Sequence, residues 1–224
     1  MDRAVHKSIL VGRRKLPGEL VLSAETRGIV VFAHGSGSSR LSPRNRYVSE
    51  VLHRRRIGTL LFDLLTDPEA EDRRNVFDIE LLGTRLGEAL SWLQERPDTS
   101  VLATGLFGAS TGAAAALVCA ARYPERVAAV VSRGGRPDLA DAHLHAVSAP
   151  TLLIVGGEDY EVLQLNRSAW RELQCEKRLE IVPGATHLFE EPGALEKVAD
   201  LAAGWFDRHL AQRGSHDKSI LGSQ

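Results

Sequence analysis

Short apolar runs alternate with longer amphipathic segments along nearly the whole of this chain, and that alternation is what most limits its fold. "GIVVFAHG" (28–35) is apolar without a polar face, rich in β-branched and aromatic residues, and bounded by glycine. A strand with that pattern has both faces covered. "IGTLLFDLL" (57–65), "SVLATGLFG" (100–108), "VAAVVSRGG" (127–135), "APTLLIVGG" (149–157) and "KRLEIVPG" (177–184) read the same way. Helical spacing appears between them, at 44–56, 77–97, 110–124, 162–174 and 192–210. Strand–helix repetition of this kind predicts an α/β fold, a mostly parallel central sheet with helices on both faces. Two leading strands, "SILVG" (8–12) and "ELVLS" (19–23), flank "RRKLPG", read as a Pro-Gly turn, and form an antiparallel edge. "TDPEAEDRRN" (66–75) is expected as a charged surface loop. No repeat or linker divides the series, so residues 1–210 are expected as one domain and 211–224 as a polar tail without function.

A chain of 224 residues should bury roughly 70% of its unfolded surface. A net charge of −1 gives no general pull toward nucleic acid or anionic lipid. Arg54, Arg55 and Arg56 fall at the end of a predicted helix, where cations suit the dipole. The N-terminal stretch shows no secretory pattern, and no apolar run reaches the length of a membrane span. Cys119 and Cys175 lie outside any CxxC pair, which argues against a disulfide framework and for a reducing cytoplasm.

In a parallel sheet, functional groups gather where strands end and lead into helices. Four such ends carry His34-Gly35-Ser36-Gly37, Gly108-Ala109-Ser110-Thr111-Gly112, Gly156-Gly157-Glu158-Asp159 and Gly184-Ala185-Thr186-His187. A serine hydroxyl becomes a nucleophile when a base takes its proton and an acid orients that base. Ser110, His187 and Asp159 supply those types, with Glu158 as the neighbour that could replace Asp159. Glycines two before and two after Ser110 suit a sharp strand-to-helix turn. The Thr111 amide, at a helix N-terminus, is one expected donor to an oxyanion; the Ser36 amide is the other, with Gly37 its rival. His34 is expected to order that loop, Asp63 to anchor another, and Glu190 and Glu191 to serve the last helix's first turn. Arg40 and Arg133 flank loops on this side and are candidates to bind an anionic group of the substrate.

Taken in order, "VFAHGSGSSRLSPRN", "GLFGASTGAAAAL", "PTLLIVGGED" and "VPGATHLFEEPGAL" resemble the α/β-hydrolase fold, in its small dienelactone-hydrolase-like branch. They are similar in particular to the hydrolase domain sometimes fused to a phosphoribosyltransferase. The resemblance implies an ester- or thioester-cleaving serine hydrolase without cofactor. Dienelactone hydrolases proper use cysteine where Ser110 stands, so their substrate does not transfer. About a dozen residues between the strands at 127–135 and 149–157 leave no room for a substantial lid, which points to an open, shallow site. "HGSGSSR" fails the G-x-G-x-x-G pattern at Arg40, no phosphate-loop sequence occurs, and no His/Cys/Asp cluster has metal-ligand spacing. A non-catalytic module of the same fold, or an amidase or acyltransferase with the same triad, are the competing readings.

Overall fold

The computed structural model describes residues 4–210. Strand β1 (Val5–Val11) pairs antiparallel with β2 (Leu16–Leu22), which pairs antiparallel with β4 (Gly58–Phe62). The remaining strands run parallel: β3 (Gly28–Ala33), β5 (Ala103–Ala109), β6 (Ala129–Arg133), β7 (Thr151–Gly156) and β8 (Lys177–Val182). The spatial order is β1-β2-β4-β3-β5-β6-β7-β8.

The unbroken apolar strands divide their side chains between two cores, as the two-residue period requires. In β3, Ile29, Val31 and Ala33 enter one core together with helices α4 (Ile79–Gln94) and α5 (Thr111–Arg122). Val30 and Phe32 point the other way, toward α1 (Pro43–Arg54) and α7 (Ala194–Leu210). Phe32 and Phe107 meet there with ring centroids 4.9 Å apart. Helix α6 (Tyr160–Glu172) adds Ala169 to the first core.

Two expectations are corrected. Pro17 and Gly18 lie inside β2; the turn is made by Gly12 and Lys15, both with positive φ (64° and 53°). The 66–75 segment is helical rather than a loop, forming α2 (Asp67–Glu71) and α3 (Arg73–Val76). The reason is local: Thr66 and Glu69 form a reciprocal capping box, Pro68 occupies the first turn, and the Asp72 carboxylate caps α3. The buried Arg85 of α4 ties α2 down by donating to Glu69 at 2.8 Å. Residues 137–146, in the short connection between β6 and β7, form a 3₁₀ segment packed against α5 and α6. The expected tail, 211–224, lies outside the described residues.

Histidine burial gives the fold a pH dependence. His53 bonds Thr59 at 2.7 Å, and burial, aided by neighbouring His6, pushes its imidazole down to about 4. Burial also lowers His34 and His209. The unfolded chain therefore takes up protons that the folded one resists. Stability is full above pH 6.5 and falls as pH drops from 6.5 toward about 4. Melting curves across that window should show the decline, and His53→Gln, which keeps a bond to Thr59, should flatten it.

Candidate active site

The site begins with a strained turn between β5 and α5. Ser110 sits at φ 51°, ψ −121°, a conformation that costs a non-glycine residue about 1–3 kcal/mol. Its neighbours impose it: the Ser110 amide donates to the Arg133 carbonyl at 3.2 Å, and the Ser110 carbonyl accepts from Ala113 and Arg136 at 3.1 Å each. A Cβ on Gly108 would stand 2.4 Å from Ala113 Cα, and one on Gly112 2.2 Å from the Ala33 carbonyl oxygen. Strand and helix thus close on each other only because both positions lack a side chain. The ordinary role of a serine opening a helix is to cap it, yet Ser110 makes no side-chain cap bond.

His187 and Asp159 come from the loops after β8 and β7, and His187 Nδ1 lies 2.7 Å from Asp159 Oδ2. Asp159 opens α6 without capping it; the carboxylate turns to the imidazole instead. Glu158 is engaged elsewhere, accepting from the Tyr160 hydroxyl. Ser110 and His187 line one cavity of about 230 Å³. Among the described residues no hydrogen bond joins the Ser110 hydroxyl to His187. Such bonds commonly tighten only when substrate binds.

The His34 loop is held from two sides. His34 Nε2 accepts from the Leu64 amide at 3.1 Å, and Nδ1 reaches the Gly35 carbonyl at 3.1 Å, which sets the protonated nitrogen as Nδ1. The Ser36 amide is not free as expected: it donates to Thr111 Oγ1 at 2.9 Å. Helix residue and loop are thereby clasped together across the turn. Gly37 has a positive φ of 70° and open space around its Cα.

Arg40 also departs from expectation. Its backbone amide and its guanidinium both bind Asp63, so it braces a loop and is already neutralised. Asp63 is the anchor the sequence suggests. Arg133 differs: it is buried, with the guanidinium 5.9 Å from the Phe189 ring centroid, and it lines the same cavity as Ser110 and His187.

Sequence reasoning missed several supports. Glu191 accepts from the Thr186 amide (3.1 Å) and hydroxyl (2.6 Å), fixing the loop that presents His187. Gly134, at φ 50°, leaves room for His187: a Cβ there would lie 3.2 Å from its carbonyl oxygen. Arg44 lines the cavity from the first turn of α1. A second, larger cavity of about 590 Å³ lies across the His34 loop, walled by Leu64, Leu65, Val76, Phe77 and Leu82.

Among the described residues no group of three or more His, Cys, Asp or Glu gathers to hold a metal, and no helix is long and apolar enough to cross a membrane.

A mostly parallel sheet with a strained serine elbow, and a histidine–aspartate pair on later strand ends, defines the α/β-hydrolase class. Comparison with known proteins narrows this. A sequence model described as the dienelactone hydrolase family matches residues 67–209, and the chain belongs to that family. A dienelactone hydrolase crystal structure from Anabaena variabilis is 57% identical, with a TM-score of 0.89 over 93% of this chain and 99% of that one. A Mycobacterium tuberculosis protein provisionally named a phosphoribosyl transferase is 58% identical over 206 residues, 92% of this chain. Those residues make up 46% of the mycobacterial protein, so the chain spans about half the length of that relative. The esterase Est1E from Butyrivibrio proteoclasticus, solved with ferulic acid, shares the fold at 14% identity and a TM-score of 0.79, over 92% of this chain and all of that one.

Proposed function

We propose that the chain is a serine hydrolase that cleaves a carboxylic ester or thioester through an acyl-enzyme on Ser110. The observation that carries this reading is the His187–Asp159 bond of 2.7 Å in a cavity shared with a strained, uncapped Ser110. His187 takes the hydroxyl proton as Ser110 attacks the carbonyl, and Asp159 holds the imidazole in the tautomer that leaves Nε2 free to accept. The Thr111 amide, at the start of α5, stabilises the oxyanion. The second donor comes from the Ser36–Gly37 segment, where the Ser36 amide must exchange its Thr111 partner for the substrate, or Gly37 must supply the bond. His187 then protonates the leaving group, and water, activated by the same imidazole, releases the acid. The apolar 590 Å³ cavity gives the larger part of the substrate a place outside the reacting centre.

The phosphoribosyl transfer in the mycobacterial relative's name belongs to a protein about twice the matched length. The groups gathered here suit hydrolysis instead. Cys119 and Cys175 are both free, with burial pushing the Cys119 thiol up to about 12, which fits an inert thiol in a cytoplasmic protein.

Labelling with a fluorophosphonate tests the reading: the folded protein should take one adduct, on Ser110. An unlabelled Ser110 in protein of native melting behaviour would remove the proposal. Asp159→Asn should lower kcat by about 10⁴-fold, because the wrong tautomer is then favoured. Glu158→Gln should leave it within a few fold, since Glu158 faces Tyr160. Steady-state rates on p-nitrophenyl acetate separate the two carboxylates.

A further inference from the structure

The small cavity beside Ser110 holds more positive charge than its own residues neutralise. Arg133 is 7% exposed, and its guanidinium makes no hydrogen bond or ion pair among the described residues; Nε is buried and unpartnered. Arg44 also lines the cavity, again with a buried Nε that has no partner. Its one carboxylate contact among the described residues is Glu190, at 3.3 Å, a side chain 66% exposed and so well screened. Both arginines thus line one space of about 230 Å³.

Arg44 also stands at the unfavourable end of its helix. The first turn of α1 carries no acidic residue, and a cation there opposes a helix dipole worth about half a positive charge. Arg44 and Arg133 are close enough for Arg44 to depress the Arg133 pKa further, after burial, to about 10. An unpaired buried cation such as Arg133, facing the like charge of Arg44, weakens the fold, so its place here is explained by what it binds.

We infer that this cavity anchors a phosphate group carried by the substrate close to its scissile carbonyl, held by Arg133 and Arg44 and not itself cleaved. Two guanidiniums and the N-terminus of α1, partly offset by exposed Glu190, leave an excess of roughly one to two positive charges. A phosphate monoester, at about −1.5 to −2, matches that better than a single carboxylate does. Ser36, Ser38 and Ser42 also line the space, and a serine hydroxyl can serve the third terminal oxygen, which a carboxylate lacks. Phosphate stays on the product throughout, and only the acyl bond changes.

This inference rests on the hydrolase reading, but its test does not. Calorimetry of the full chain with propyl phosphate, butyrate and butyramide reads binding directly. Propyl phosphate should bind on the order of 10²-fold more tightly than butyramide. It should bind more tightly than butyrate and compete with p-nitrophenyl acetate. Arg133→Met should abolish the preference while raising the melting temperature, because it removes an unpaired buried charge. Arg44→Gln, at a half-buried side chain, should weaken propyl phosphate at least tenfold by losing one charged contact. Butyrate binding as well as propyl phosphate would overturn the phosphate assignment. Equal affinity for all three, or an Arg133→Met that binds normally and melts lower, would overturn the anion site. Loss of ester turnover and of Ser110 labelling, with propyl phosphate still bound, would sink the hydrolase reading alone.

Discussion

Replacing Ser110 with alanine should lower kcat on p-nitrophenyl acetate by about 10⁴- to 10⁶-fold, the largest effect on activity expected of any substitution in this chain. The hydroxyl is the group that forms the acyl bond, and of the serines lining the cavity it alone sits on the strained turn between β5 and α5. Stability should scarcely change. The strained backbone at φ 51° is imposed by the Arg133, Ala113 and Arg136 bonds, and alanine inherits both the strain and the bonds. Unchanged melting with lost turnover separates chemistry from folding. Retained turnover would mean another nucleophile.

Gly112→Ala should have the largest effect on the fold. Its new Cβ would lie 2.2 Å from the Ala33 oxygen and 2.5 Å from the His34 oxygen. Both are backbone atoms at the end of the buried β3, so no rotamer change relieves the clash. We expect a loss of about 3 kcal/mol, seen as a melting temperature lower by about 6–12 °C. Activity should fall too, because the shifted first turn of α5 moves the Thr111 amide and its clasp on Ser36. Gly204 is the internal control: nothing lies within 4 Å of where its Cβ would be, in the exposed face of α7. Gly204→Ala should stabilise by about 0.5–1 kcal/mol, as alanine does in an exposed helix interior. Equal melting shifts for the two glycines would contradict the close-packed elbow.

Much of this was legible in the sequence because each signal was local. Runs such as "GIVVFA" state by their lack of a polar face that helices cover both sides of a strand. The glycines around Ser110 state where two elements must touch. What stayed hidden depends on partners distant in the chain. Arg40 and Arg133 look equivalent as loop arginines, yet Asp63 neutralises one and no carboxylate among the described residues neutralises the other. That Arg44 shares a cavity with Ser110 depends on where the fold places the start of α1. The Ser36 amide reads as a free donor, although Thr111, 75 positions away, already accepts its bond. The helices at 66–75 were readable in principle from Thr66 and Glu69, but a run of charges with a proline outweighed the capping pattern.

The most direct test of the account is mass spectrometry of the protein quenched during turnover of p-nitrophenyl acetate, followed by peptide mapping. An acetyl group should appear on Ser110, transiently in the native chain, and on no residue of Ser110→Ala. Rapid turnover with no acetylated Ser110 at any quench time, or acetyl on a different side chain, would contradict a serine-centred mechanism.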